Sequence, residues 1–197
     1  MIGQDSWWRR LALIVALVER APGQVLGRTA IVKLAYLLQI LRGVPVGYGF
    51  RLYTYGPFHA DVLSDLDSAR SLQAVTVKTV PHPTGYGYEV RPGPEAEGIK
   101  ARAAEWLSRH QADIEWVVDS FAGHTASELE LLSTCVYVDR ELAARGQSDV
   151  AAEELVRRVR EVKPHFPETQ VAALVRSGQA QGWFSAIARP QANGQDT

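Results

Sequence analysis

Residues 34–72 read LAYLLQILRGVPVGYGFRLYTYGPFHADVLSDLDSARSL, and the architecture of the chain turns on how this stretch divides. Leu34, Leu38 and Leu41, with Ile31 upstream, recur at the spacing of one helical stripe, which predicts a helix over 28–41 ending at Gly43. Tyr48 to Tyr55 is aromatic and β-prone, so a short strand is expected there. Gly56-Pro57-Phe58 reads as a hinge, with Pro57 fixing φ and Phe58 packing under the next helix. That helix is expected over 59–73, with Val62, Leu66 and Ala69 facing inward.

Upstream, Trp8, Leu11, Val15 and Val18 share one face of a helix over 6–20, which Ala21-Pro22-Gly23 stops. Downstream, 75–80 alternates with period two, 81–85 reads as a turn, and 86–90 returns as the partner strand. After Pro92-Gly93-Pro94 the periodicity becomes purely helical: one long helix over 95–121, another opened by the capping-box spacing of Thr125 and Glu128, then helices over 149–163 and 167–176. Glu153 and Glu154 stand four residues before Arg157 and Arg158, the favoured orientation for helical ion pairs. The polar end of the chain reads as disordered.

Helix, helix, strand, helix, hairpin is the order of a winged-helix unit. The expectation is a mainly α (α+β) protein. A winged-helix-like core over 1–92, with a small antiparallel hairpin as its wing, packs as one compact unit on a helical bundle over 93–185, and a disordered tail covers 186–197.

The details also resemble a family. Lys33-Leu34-Ala35-Tyr36-Leu37-Leu38, Tyr48-Gly49-Phe50, Tyr53-Thr54-Tyr55-Gly56-Pro57-Phe58 and Leu63-Ser64-Asp65-Leu66 look like the uncharacterised YwgA-type bacterial proteins. More distantly they resemble the Panacea domains of antitoxins and the SocA-type antitoxin that acts as a proteolytic adaptor. Glu161-Val162-Lys163-Pro164-His165-Phe166 fits the same pattern, and the resemblance spans roughly 10 to 180. It implies an antitoxin-like or adaptor-like module in a toxin–antitoxin or phage-defence setting. It brings no catalytic residues with it.

Composition narrows the class. The 197 residues are 46% apolar and 22% charged, an ordinary balance for a globular protein of one domain, or one domain with a helical extension. The longest apolar run, Leu11 to Val18, is far short of the roughly 20 residues that a membrane span needs. No signal peptide is read at the start, and a cytoplasmic address is expected. A single cysteine, Cys135, excludes an intramolecular disulfide and a cysteine-based zinc site. The first 60 residues hold seven basic groups (Arg9, Arg10, Arg20, Arg28, Lys33, Arg42, Arg51) and two acidic ones (Asp5, Glu19), so a net charge of −1 hides a basic first part. Such asymmetry suits nucleic acid, an acidic protein partner, or charges neutralised within the fold.

Enzymatic chemistry finds little support. Gly47-Tyr48-Gly49 and Gly85-Tyr86-Gly87 lack the third glycine of a phosphate-binding loop and read as turns beside packed tyrosines. His59, Asp61 and Asp65 could offer metal ligands, but Asp61 is equally explained by the positive end of the helix dipole, and His59 by capping. Cys135 lies on an apolar stripe with Leu131, Leu132 and Val138, as a buried small hydrophobe would, and His110 reads as a packing histidine in line with Trp106 and Ile114. His124 and His165 fall at helix junctions. No cofactor, metal or catalytic residue is expected.

Two functions remain. In a DNA reader the helix over 59–73 would enter the major groove, yet it carries Asp61, Asp65 and Asp67 against one Arg70, and phosphate repels that balance. Arg28, Lys33 and Arg42 on the preceding helix, with Lys78 in the wing, are the candidate nucleic-acid contacts. The blander expectation is that the helix cations pair with those aspartates. A protein partner fits with less strain: most of Tyr36, Tyr48, Phe50, Tyr53, Tyr55 and Phe58 should be core, and those left exposed would anchor an interface. Trp7, Tyr53, Tyr55 and Phe58 are the candidate anchors, because adjacent helical residues such as Trp7 and Trp8 cannot share one face. Self-association is open as well.

Overall fold

A computed structural model describes residues 2–21, 23, 25–82 and 85–188. Pro22 of the expected helix stop, Pro83 and Thr84 of the expected wing turn, and residues 189–197 of the expected tail lie outside them. The elements are α1 (Ile2–Arg20), α2 (Arg28–Leu41), β1 (Arg51–Tyr53), β2 (Gly56–Phe58), α3 (Ala60–Ser71), β3 (Val75–His82), β4 (Gly85–Pro92), α4 (Ala96–Ala101), α5 (Ala104–Phe121), α6 (Ala126–Ala144), α7 (Ala152–Val162) and α8 (Glu168–Ala180). The protein is therefore mainly helical with two small antiparallel hairpins. Among the described residues no helix is long and apolar enough to cross a membrane.

The chain divides into two compact units, residues 1–129 and 130–197. The expected break near residue 92 is not where the contacts thin out. α4 and α5 belong to the first unit, because both lie against α1 and α5 also meets α2. α1 is the centre of this unit. Leu11, Ala12, Leu13, Ile14, Val15 and Leu17 are all buried, on every side of the helix, as an apolar run surrounded by neighbours must be. The long helix expected over 95–121 is interrupted at Arg102 and Ala103, where Ala103 adopts φ −130. Just before the break Lys100 bonds Glu19 of α1 at 2.6 Å, and at the break itself the Arg102 guanidinium lies 4.3 Å over the Trp8 ring.

Two strand expectations need correction. The stretch from Tyr48 is not a strand as far as Phe50. Val44, Val46 and Tyr48 are buried in alternation, yet among the described residues no strand pairs with them. The Gln39 side chain substitutes for one: it donates to the Tyr48 carbonyl at 2.8 Å and accepts from the N–H groups of Gly47 and Tyr48. Gly56-Pro57-Phe58 is not a hinge but β2, paired with β1 in the register Arg51↔Phe58, Leu52↔Pro57, Tyr53↔Gly56. Pro57 is tolerated because its pair with Leu52 falls between the bonded rungs, where a missing N–H breaks nothing.

β3 and β4 form the second hairpin, from Val75↔Pro92 to His82↔Gly85. One residue from the α1–α2 connection joins it: Leu26 bridges Val90, whose N–H donates to the Leu26 carbonyl at 2.9 Å. Where β4 leaves the hairpin it crosses the exit of α3 closely. Gly93 donates to the Ala74 carbonyl at 2.8 Å, and a Cβ at position 93 would stand 2.1 Å from the Gln73 carbonyl oxygen.

In the second unit, α6 from Glu130 onward, α7 and α8 enclose Leu131, Cys135, Leu142, Leu155, Val159, Phe166, Val171 and Val175. Residues 186–188, expected within a disordered tail, are ordered. Ala186 and Ile187 join this core, and Val150 exchanges backbone bonds with Ala186 and Ala188. Asp139, fully buried, holds them by accepting from the N–H groups of Ser185 and Ala186 at 2.8 and 2.9 Å, with Arg140 as its counter-ion. The capping box forms as expected, Thr125 N–H donating to Glu128 Oε2 at 2.7 Å and Glu128 N–H to Thr125 Oγ1 at 3.2 Å. Glu154 pairs with Arg158 as predicted, while Arg157 turns to Glu154 and Glu161 instead of Glu153.

Gly93→Ala is expected to destabilise the protein by about 3 kcal/mol or more, because backbone rather than a movable side-chain tip meets the new methyl. Urea denaturation followed by far-UV circular dichroism measures this; a change within about 0.5 kcal/mol would show that the crossing relaxes freely.

Candidate protein-binding hairpin

The β1–β2 hairpin is three residues long on each side and too short to stand alone. Its support is Lys33. This side chain, 2% exposed, donates from Nζ to the carbonyl of Tyr55 at 2.5 Å and to that of Pro57 at 2.7 Å. Those carbonyls lie two residues apart along the chain, where a neighbouring strand would otherwise supply N–H donors. A charged donor makes such bonds stronger than a neutral one does, which helps offset the cost of burying an ammonium. Lys33 is therefore part of the core and is withdrawn as a nucleic-acid contact.

A second polar knot lies nearby. Asp65 of α3, 4% exposed, accepts from Arg10 Nε at 2.7 Å and from the Tyr48 hydroxyl at 2.9 Å. Burial, and then the Asp65 carboxylate beside it, push the Tyr48 phenol well above its ordinary value, so it stays protonated and donates. This ties α1, α3 and the 44–50 segment together. His59 caps α3, its Nδ1 accepting from the Asp61 N–H at 3.3 Å, as the sequence suggested. His59, Asp61 and Asp65 do not converge as metal ligands. Asp65 is engaged by Arg10 and Tyr48, while Asp61 is exposed, with Oδ2 3.9 Å from His59. Among the described residues no three His, Cys, Asp or Glu side chains group to hold a metal.

What the hairpin presents outward is aromatic. Tyr53 is 63% exposed and Tyr55 71% exposed. Phe58 is half-buried, not packed wholly under α3 as expected, and its ring lies 5.7 Å from that of Tyr53. Of the six aromatics expected to be mostly core, only Tyr36 and Tyr48 are buried; Phe50 is half-buried against both. Trp7 and Trp8 are both half-buried and lie 4.6 Å apart, so Trp7 is a weaker anchor than the hairpin tyrosines. Gly85-Tyr86-Gly87, expected as a turn beside a packed tyrosine, is instead the start of β4, and Tyr86, like Tyr88, is exposed there; neither was read as a candidate anchor. Their alternation with Gly85 and Gly87, which removes side chains beside them, was the available signal.

The other basic candidates are mostly engaged. Arg28 bonds Asp67 at 3.1 Å and lies 4.2 Å over the Tyr88 ring. Arg42 bonds Asp113 at 2.8 Å and covers the Trp116 ring. Pairing with the α3 aspartates therefore holds for Arg28 alone. Lys78 is exposed, with Glu89 directly across the hairpin.

Surface grooves are open among the described residues. One, of about 690 Å³, runs between α7 and α8; another, of about 590 Å³, is lined by α1, α4 and α5. Both carry opposed charges over apolar side chains. Cys135 is fully buried, and burial pushes its thiol up to about 12.

No known family model matches this chain, and no curated protein matches it closely.

Lys33→Met should cost about 1–3 kcal/mol, because two inward carbonyls lose their donor while the side-chain volume is kept. The damage should be local, so trypsin should cut after Arg51 faster than in the wild type; unchanged cleavage and stability would show that the hairpin holds without the ammonium. Iodoacetamide at pH 8 should label Cys135 at least about a hundredfold more slowly in the folded protein than in urea, since the thiol is protonated and enclosed. Equal rates would mean that the second unit opens readily.

Proposed function

We propose that this chain is a non-catalytic protein-binding module, antitoxin-like or adaptor-like, that takes its partner on the outward face of the β1–β2 hairpin. The observation that carries this reading is the pair of exposed tyrosines, Tyr53 and Tyr55, on a turn whose carbonyls a buried lysine holds. Tyrosine brings a large contact area at low entropic cost, and a pre-organised scaffold loses little freedom on binding. The resemblance to YwgA-type and Panacea-like proteins agrees with it.

A specific arrangement favours a second reading. α1, the Leu26 bridge, α2, α3 and the β3–β4 hairpin follow one another as in a winged helix, in which the short strand after the first helix joins the wing. A DNA-binding regulator would then use α3 and the wing. The charges weigh against it: α3 exposes Asp61 and Asp67 with Arg70, Lys33 is buried, and Arg28 and Arg42 already have carboxylate partners.

Titration with duplex DNA separates the two. The protein-binding reading expects no measurable affinity for random duplex even near about 50 mM salt. It also expects that a partner captured from the cells encoding this chain is lost with the double variant Tyr53→Ser, Tyr55→Ser, while a Lys78→Ala variant keeps it. Sub-micromolar duplex binding at physiological salt, with a salt slope reduced by Lys78→Ala, would overturn this reading in favour of the regulator.

A further inference from the structure

Among the described residues β1 has a strand on one side only. Pro57, opposite Leu52, has no N–H, so these two form the non-bonded kind of antiparallel pair, and the N–H and C=O of Leu52 point away from β2. Neither group bonds elsewhere among the described residues. The opposite edge of the hairpin is closed, because Lys33 takes its carbonyls. One strand edge therefore remains with a donor and an acceptor turned outward, the template that an added strand uses.

The side chains along that edge identify what fits it. Arg51 and Tyr53 flank Leu52 and, two residues apart, point to the same outward face. Arg51 is exposed and has no ion pair among the described residues. A strand laid antiparallel with its own Leu52 at the centre would set Tyr53 opposite Arg51, and Arg51 opposite Tyr53. Cation and aromatic ring then meet twice, by symmetry. An unrelated strand would have to supply both an aromatic and a cation at those positions.

We infer that a second copy of this chain pairs along β1, with the two-fold axis at Leu52. Each Leu52 donates its N–H to the Leu52 carbonyl of the other copy, and each Arg51 lies between its own cross-strand neighbour Phe58 and the incoming Tyr53. The aromatic faces of both hairpins join into one surface across a four-stranded sheet, which doubles the face assigned above to a partner. The contact is short, so the dimer is weak, with a dissociation constant in the micromolar range or above. The inference does not rest on the protein-binding reading.

Sedimentation equilibrium on the full chain, from micromolar to near-millimolar concentration, tests it. A reversible dimer is expected. Leu52→Pro, which removes the outward N–H and leaves the β1–β2 rungs, should yield a monomer throughout. Arg51→Glu, a change at an exposed unpaired side chain, should raise the dissociation constant about tenfold. Lys78→Glu should leave it unchanged, and circular dichroism should show native helix in all three variants. A wild type that stays monomeric, or a dimer indifferent to Arg51→Glu, overturns the proposal. A monomer that still captures its partner through Tyr53 and Tyr55 would leave the protein-binding reading standing, and a dimer without such capture would do the reverse.

Discussion

The buried ammonium of Lys33 is the constraint on which the candidate surface depends. A hairpin of two three-residue strands cannot bury enough to hold itself, and here one edge is closed by a side chain from α2 instead of by a strand. An ammonium is compact, carries three donors and is flexible at its tip, so it can reach one carbonyl in the turn and one in β2 at once. The same arrangement leaves the opposite edge and the outward face unused. The aromatic tip is thus presented because the inner side of the hairpin is fully occupied.

The neighbouring polar residues extend the pattern. Gln39 takes the place of a strand beside the 44–48 segment, and Asp65 gathers Arg10 and Tyr48 beneath it. Gln39, like Lys33, replaces regular backbone pairing by a side chain reaching across from a helix, while Asp65 ties side chains of α1 and the 44–50 segment to α3. Irregular chain can be buried only where its N–H and C=O groups find such partners. The region between α2 and α3 is therefore fixed in place although little of it is regular secondary structure. Asp139 does the same in the second unit, where its carboxylate organises residues 185–186 and lets Ile187 into the core.

Charge is handled in a similar way. The basic first part of the chain suggested a surface for phosphate, but most of its seven cations are spent internally: Arg10 on Asp65, Arg28 on Asp67 and Tyr88, Lys33 on carbonyls, Arg42 on Asp113 and Trp116. A sum over sequence counts these charges as available. Neutralisation within the fold removes most of that field from the surface.

The sequence by itself determined most of the helices. The 28–41 stripe appears with the predicted ends, and the capping box at Thr125 and the burial of Cys135 were readable, since periodicity and capping are local properties. The β3–β4 hairpin was legible for the same reason, as alternation bounded by turn residues. Tertiary structure alone decided what depends on distant neighbours. It turned Gly56-Pro57-Phe58 from a hinge into a strand, because Lys33 stands 24 residues away in sequence and beside it in space. It divided 95–121 at Ala103, placed the boundary between units at 129–130, and made Gly93 necessary through the approach of Gln73. It also chose which tyrosines are exposed: an aromatic residue on a short strand carries no mark of which face the rest of the chain will cover.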